Sequence, residues 1–549
     1  MYRAFSGLLS SILFFSFACE KDEDNLVSFS NQTAGSGIDF RYTFGDNTYQ
    51  NILESSGSGV SVFDCDNDGL FDLYLLNGTF LEGISDSTGL GFKGTSNKLY
   101  RNNGDGTFGE QSARAGLDDP RWSMAATPFD FDGDGDTDIF LTNYGPNAFY
   151  RNNGDGTFTD ITALTGLQGP DSLNGHITWS VGAVFWDYNE DLLPDLMVAN
   201  FLAFDPTYVT PGAPHMMPHP GEYKGQASLL YRQLPDGTFE ETTREAGLFF
   251  PDSKCMGLTV FDYDGDGDQD LFQGNDHQEN FLFRNDNTGS FKEVGAISGT
   301  TVNDQGQPTG SMHGTVGDID GDGLPDLLVT DLKYGALYRN KGNGAFEDIT
   351  VSSGVAKYFQ GKGEWTAALF DYDNDGDLDI FSANGTAEEL VLQLPLLLEN
   401  DGRGNFKDVG KEMSEYFSTK RSGRGGIVWD YDNDGDLDIL VSHLDGDGDP
   451  VLLRNEGGNK NHWLGVELSG GKRGPAAVIG ARVTVFAGDR EYVRYNIPGN
   501  GYLSHNDPRI HFGLGDNARI SRLVVHWGDG ETETYDQVEI DRYIKVSSK

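Results

Sequence analysis

Apolar residues in this chain come in runs of four to six, separated by clusters of Gly, Asn and Asp. Runs that short, bounded in that way, signal strands and not helices. One stretch shows the unit well. Ala125–Phe129 predicts a first strand, Ile139–Asn143 a second, Ala148–Arg151 a third and Thr157–Thr162 a fourth, with the turn Asn152-Asn153-Gly154-Asp155-Gly156 before the last. The third strand recurs as Leu99-Tyr100-Arg101-Asn102, Leu230-Tyr231-Arg232, Leu282-Phe283-Arg284-Asn285, Leu337-Tyr338-Arg339-Asn340, Leu398-Glu399-Asn400 and Leu453-Arg454-Asn455. The fourth keeps a Phe, then Ser, Thr or Gly four residues on, then often Gly eight on, as in Phe158/Thr162/Gly166, Phe239/Thr243/Gly247 and Phe346/Thr350/Gly354. The seventh unit lacks that segment. A matching one, Phe29/Thr33/Gly37, lies at the other end of the chain, so residues near 27–40 are expected to supply the outer strand of unit seven. That closure would remove the open edges a β-protein must otherwise protect.

Between first and second strands each unit carries D-x-D-x-D-G-x-x-D or a close variant, beginning at Asp64, Asp130, Asp187, Asp262, Asp318, Asp371 and Asp430, with spacings of 53 to 75 residues. Carboxylates at positions 1, 3, 5 and 9 can converge, a glycine at 6 permits the sharp turn, and the carbonyl of 7 can add an oxygen. Hard oxygen donors in that number suit Ca²⁺. Two carboxylates about 4 Å apart repel by roughly 4 kcal/mol at an effective dielectric near 20, so four in one loop call for a cation. The expected ligands are Asp64, Asp66, Asp68 and Asp72; Asp130, Asp132, Asp134 and Asp138; Asp187, Asn189, Asp191 and Asp195; Asp262, Asp264, Asp266 and Asp270; Asp318, Asp320, Asp322 and Asp326; Asp371, Asp373, Asp375 and Asp379; and Asp430, Asp432, Asp434 and Asp438. An EF-hand is excluded, because position 12 in the fourth loop is Gln273 and not Glu. Seven β-rich units at this period predict an all-β fold, a seven-bladed propeller of four-stranded blades holding up to seven Ca²⁺.

Loop 3 departs, with Asn189 at position 3 and Leu192 where glycine belongs. A leucine in a turn that favours positive φ is strained, which makes this the weakest expected calcium site. Blade 3 also carries an insertion, Phe201 to Ser228, rich in proline, with His215 and His219 four residues apart. The prolines argue against a helix there, and so against a two-histidine metal site.

Composition sharpens the picture. The formal net charge is −47, and 31 Asp sit in the seven loops. Such acidity argues against nucleic acid, whose binding rests on Lys and Arg neutralising phosphates. Cys19, Cys65 and Cys255 are too few and scattered for a disulfide framework; Cys65 and Cys255 read as packing residues. Residues 1–19 resemble a lipoprotein signal peptide: Arg3, a short apolar run, then Ser16-Phe17-Ala18-Cys19. On that reading Cys19 is lipidated, 20–26 form an acidic linker resembling a surface-export tag, and the protein is an outer-membrane or cell-surface lipoprotein touching membrane only through the anchor. An ordinary cleaved signal is the alternative.

The propeller is expected over 27–459. Residues 460–549 hold no calcium loop but several alternating strands, Trp463–Leu468, Arg482–Phe486, Tyr492–Ile497, Leu523–Trp527 and Glu531–Tyr535, which predict a small all-β appendage. The seven loops resemble FG-GAP/VCBS repeats. The last region resembles the ASPIC/UnbV domain, through Gly480-Ala481-Arg482-Val483, Gly501-Tyr502-Leu503-Ser504, His511-Phe512-Gly513-Leu514-Gly515 and Trp527-Gly528-Asp529-Gly530. The order of the two is that of bacterial relatives of cartilage acidic protein. The resemblance implies a calcium-dependent surface or adhesion factor.

In four-stranded blades the calcium loops share one face with the third-to-fourth-strand turns. The opposite face is expected to gather Trp122, His176, Trp179, His215, His219, Asn275, His277, His313, Trp365, Asn384, Arg421, Arg424 and His443 as a possible ligand face over the channel mouth. Two function classes follow. One is a non-catalytic binding or adhesion propeller for an extracellular glycan or protein. The other is an extracytoplasmic enzyme of polysaccharide lyase or hydrolase type with its site over the channel; no nucleophile elbow, HExxH, Walker loop or dinucleotide fingerprint is present in the sequence.

Overall fold

The computed structural model describes residues 27–549, apart from Pro214, His215, Asn287, Asp304, Glu388, Asp447, Pro498 and Asn500. The signal peptide, Cys19 and His215 lie outside the described residues.

Short strands with both faces buried must be covered on both sides, and here each unit's strands are covered by the neighbouring units. In blade 2 the order is Ser123–Phe129, Asp138–Asn143, Ala148–Asn152 and Phe158–Asp160, all antiparallel. The expected fourth strand stops earlier than the apolar pattern suggested, because Thr162–Thr165 forms a single helical turn closed by Gly166 at φ 78°. The same four-stranded order is built on the inner strands Val60–Phe63, Ser180–Trp186, Cys255–Phe261, Thr309–Gly317, Glu364–Phe370 and Gly423–Trp429. Ser28–Asn31 pairs with Val451–Glu456 as the outer strand of the last unit, and Thr33 Oγ1 accepts from the Leu452 amide. The inner strands pack in sequence and the seventh meets the first. The all-β fold is therefore a β-propeller closed by its own N-terminal strand, as the repeat register predicted.

Two repeated contacts lock neighbouring blades. The third-strand amide reaches back to the carbonyl at loop position 2 of the preceding blade: Asn152 to Cys65, Asn285 to Tyr188, Asn340 to Tyr263, Asn400 to Ile319 and Asn455 to Tyr372, all at 2.7–3.0 Å. Asn102 closes the circle on Tyr431 at 2.7 Å. Blade 3 has Gln233 instead, whose bond to Phe131 stretches to 3.4 Å. Beside several of these bonds the fourth-strand Phe packs on the position-2 ring, as in Phe346 with Tyr263 and Phe29 with Tyr372.

The C-terminal region is more than an appendage. It has a three-stranded sheet (Ile510–Gly515, His462–Ser469, Tyr543–Ser547) and a four-stranded one (Arg490–Tyr495, Arg482–Ala487, Ile520–His526, Thr532–Asp536) over a shared core that includes Leu464, Val485, Phe512 and Trp527. From it Ser504–His505 runs into the ring and pairs in parallel with Val60 and Ser61 of the first inner strand. Asn506 accepts from the Val428 amide of blade 7 at 2.8 Å. Tyr502, fully buried, meets Trp365 edge-on at 4.7 Å. The segment thus enters the channel around which the inner strands are arranged, against those of blades 1, 2 and 7.

Candidate metal-binding loops and the opposite face

Each loop turns twice through the left-handed region, at positions 4 and 6. Position 4 is Gly133, Gly265 and Gly321 in three loops and Asn67, Asn374 and Asn433 in three more; Gly and Asn tolerate that conformation best. Position 6 is glycine in all but loop 3. There Glu190 and Leu192 take φ 59° and 68°, so the strain expected at Leu192 is present, and Glu190 shares it.

The carboxylates have separate tasks. Position 1 accepts from the position 6 amide, as Asp64 does from Gly69 at 2.8 Å and Asp430 from Gly435 at 2.8 Å. Position 5 accepts from the position 7 amide, as in Asp68 with Leu70 and Asp322 with Leu324. Position 9 joins the loop to the third strand: one oxygen of Asp326 accepts from Ile319 N, the other from Asn340 N, and Asp72, Asp138, Asp195, Asp270, Asp379 and Asp438 repeat the bridge. Position 3 has no such work in four loops. Asp66, Asp264 and Asp432 each give one oxygen to the third-strand arginine, Arg101, Arg284 or Arg454, at 2.7–2.9 Å, and Asp320 faces Arg339 at 3.8 Å. The other oxygen, Oδ1, of all four is buried with no hydrogen-bond partner.

These orphaned oxygens are the test of fit for a cation. One carboxylate oxygen from each of Asp130, Asp132 and Asp138 can lie within 4.8 Å of the others, and the same holds for Asp64, Asp66 and Asp68, for Asp262, Asp264 and Asp270, and for Asp318, Asp320 and Asp326. Burial pushes Asp138 and Asp326 up to about 8. Acids so crowded need protons or a cation to neutralise them, and an all-oxygen set fits a hard divalent ion. Loop 3 offers the Asn189 amide, whose oxygen is already taken by the Asp191 amide.

Sequence reasoning did not anticipate that the C-terminal domain sits on these loops. Tyr543 donates to Asp430 Oδ2 at 2.7 Å, Arg509 to the Asp430 carbonyl, Arg494 to the Gly376 carbonyl at 3.0 Å, Tyr495 to the Gly323 carbonyl, and Arg490 pairs with Asp377. The third-strand arginines were visible as a repeated letter, but their role as orienters of position 3 needs the strand register.

On the opposite face the expected ligand residues divide. Trp122, Trp179, Trp365, His313, Arg424 and His443 are buried, against the expectation of an open face. Trp179 packs on Tyr144 and Phe201. Arg424 stacks 4.0 Å above Trp365 and donates to Ser55 and Thr386 carbonyls. His443 meets Tyr416 at 3.1 Å. Burial pushes His313 and His443 down to about 3, so neither exchanges protons near neutrality. The physical reason is packing: aromatic and long side chains at strand ends fill the gaps between blades. Asn275 and Asn384 are also buried, as turn caps, donating to the Glu279 and Leu394 carbonyls. His176 remains partly exposed, Arg421 pairs with Asp445 at 2.9 Å, and His219 lies with its ring centroid 3.9 Å from that of His277. His219 Nδ1 accepts from the Gly221 amide and so orders a turn.

FG-GAP-like repeat models match residues 83–141, 130–198, 262–329, 318–382 and 371–441, more than half of the chain in all, and an ASPIC and UnbV model matches 471–549. Cartilage acidic protein 1 of Xenopus tropicalis is 29% identical over 296 residues, 51% of this chain and 42% of that protein. The Homo sapiens protein is 28% identical over 273 residues, 48% and 39% respectively. This chain thus spans about two-fifths of the length of the curated relatives it matches. An Agrocybe aegerita lectin structure, 18% identical over 66% of this chain and 87% of its own, has a TM-score of 0.37, too distant to carry an argument. With repeats, closing strand and C-terminal domain all in place, the chain belongs to the FG-GAP-repeat β-propellers that carry an ASPIC/UnbV domain, and it is a homologue of cartilage acidic protein 1.

Proposed function

We propose that this is a calcium-stabilised binding or adhesion protein, held at the outer membrane or cell surface by lipid on Cys19, that captures an extracellular glycan or protein without chemistry. The observation that carries the calcium part is the buried, partnerless Oδ1 of Asp66, Asp264, Asp320 and Asp432, four times in one register. In each loop the position 1, 3, 5 and 9 side chains would hold the ion, with blade 3 the weakest. The ion's work is neutralisation and shape: it removes the repulsion that otherwise opposes loop closure.

Binding is favoured over catalysis by the channel. In a propeller enzyme the site would lie over the mouth, but Tyr502 and Ser504–His505 occupy that axis and the face residues Trp365, Arg424 and His443 are spent on packing. A ligand is then left the rim, above all the blade 3 insertion, where Val209 and Met216 are exposed, with exposed Ile177 beside it, its carbonyl accepting from Gln226 of the insertion. The test is a binding and turnover screen of the full chain against polysaccharides, glycans and matrix proteins, with calcium and with chelator. Saturable, calcium-dependent binding without product is the expected result. Release of cleaved product would replace the binding reading with a lyase or hydrolase, and no binding to any of the three classes would sink it.

A further inference from the structure

The seven repeats are internal controls for one another, and blade 6 breaks a rule that the other six keep. At the third-strand position just before the stitching amide, the other blades carry arginine, as with Arg101, Arg284 and Arg454. In blades 1, 4 and 7 that arginine lies within 2.6–2.9 Å of loop carboxylates at positions 3 and 5. Blade 6 has Glu399 in the same register, paired across the strands with Lys407. In that register blade 6 presents a carboxylate where the six other blades present a guanidinium. A second observation points at a ligand. Asp371, first of that loop, is 2% exposed, and its Oδ1 has no hydrogen-bond partner.

Two arginines from outside the blade meet side chains of loop 6, at positions 1 and 7 and not at 3 and 5. Arg494 stands 3.9 Å from Asp371 Oδ2, and Arg490 lies 2.6 Å from Asp377. Both belong to the C-terminal domain, whose Tyr492 and Gly513 press against Gly376. Loop 6 is thus walled in as well as more acidic at its third strand. Calcium affinity follows the number of ligand charges and the rigidity of the cage, and groups just outside the ligands change metal affinity by about 10–100-fold.

Resting on the calcium reading above, we propose that blade 6 is the tightest calcium site of the ring, with Glu399 supplying the carboxylate that sets it apart. Glu399 is half-buried at the strand surface, so it can be changed without opening the core.

Calcium titration calorimetry on the full chain, Glu399→Arg and Glu399→Gln tests this, with bound calcium counted separately by equilibrium dialysis. Glu399→Arg, which restores the arginine of the other blades, should weaken the tightest binding class at least tenfold and leave the dialysis count unchanged. Glu399→Gln should fall between, and it serves if the arginine variant fails to fold. A tightest class unaffected by both changes, or a loss confined to weaker classes, overturns the assignment of blade 6. Absence of calcium binding in the unaltered chain overturns the calcium reading itself, a distinct result.

Discussion

Glu364 opens the inner strand of blade 6 with no exposed surface, and neither of its carboxylate oxygens makes a hydrogen bond. Other junctions explain how it got there. Asn97, Asn147 and Asn280 each bond Ser123, Ser180 or Ser311 of the following blade. At the blade 5–6 junction the serine's place is taken by Glu364 and the asparagine's by Gly335, where any Cβ would lie 2.9 Å from Glu364 Oε2. Burial, then the charge of Asp331, raises Glu364 well above the usual carboxylate range. A raised folded-state value means the folded protein holds the proton more tightly than the unfolded chain. The stabilisation is complete below the unfolded value near 4.3 and is lost as pH climbs through the folded one. Glu364→Gln should therefore flatten this part of the pH–stability profile and be more stable than the parent at pH 8, by about 1–3 kcal/mol. Urea melts at pH 5 and pH 8 check it; equal pH dependence in both proteins would refute the burial argument. Leu192 yields a second residue-scale prediction. Left-handed backbone costs a branched residue about 1–2 kcal/mol, so Leu192→Gly should strengthen calcium binding in blade 3, read as a gain in the weakest class by calorimetry. Leu192 was legible in the sequence because six sister loops show what belongs there. Glu364 was not, since its surroundings depend on Gly335 in another blade.

At the scale of elements, the third-strand amides are the staples between blades. Asn340 is buried, donates to Tyr263 at 2.8 Å and to Pro325 at 3.2 Å, and accepts from Gly342. Asn340→Ala strands two carbonyls and should cost about 2–3 kcal/mol. Gln233→Ala gives up one bond of 3.4 Å and should cost under about 1 kcal/mol. Urea midpoints of the two variants compare them directly; similar losses would mean the stitch carries little of the stability. Strands were legible because runs bounded by Gly and Asn recur in seven versions, which averages out local ambiguity. The misread end at Thr162 shows the limit. The motif Phe–x₃–Thr–x₃–Gly encodes a strand, then one helical turn, then the left-handed Gly166, and hydropathy alone does not separate the first two. In the C-terminal domain, without repeats to compare, the strand Ile510–Gly515 is legible only through the family segment His511–Gly515, and the sequence pattern does not mark Tyr543–Ser547.

For the whole molecule, the propeller and the C-terminal domain share one cohesive unit, because the domain's contacts fall on the loops expected to hold calcium. Asp430 shows the dependence most directly: one oxygen accepts from its own loop at Gly435 and also from Tyr543 of the domain. Next to it Trp463 lies so close to Gly435 that a Cβ there would stand 2.0 Å from the indole. A loop that loses its ion regains carboxylate repulsion of a few kcal/mol per close pair, so loop 7 would relax and Trp463 would lose its seat. Chelation is thus expected to do two things in order. At low chelator the domain loosens, seen as a red shift of tryptophan emission that disappears in Trp463→Phe. At higher chelator the melting temperature of the whole chain falls, since withdrawal of the domain also pulls Tyr502 and Ser504–His505 from the channel. Tyr502→Ala should mimic the second stage with calcium still bound, at a cost of about 3–5 kcal/mol for a buried aromatic. Melting unchanged by chelator would mean that the loops close without an ion. A fall in melting temperature with no change at Trp463 would mean that calcium holds the blades while the domain docks by packing alone.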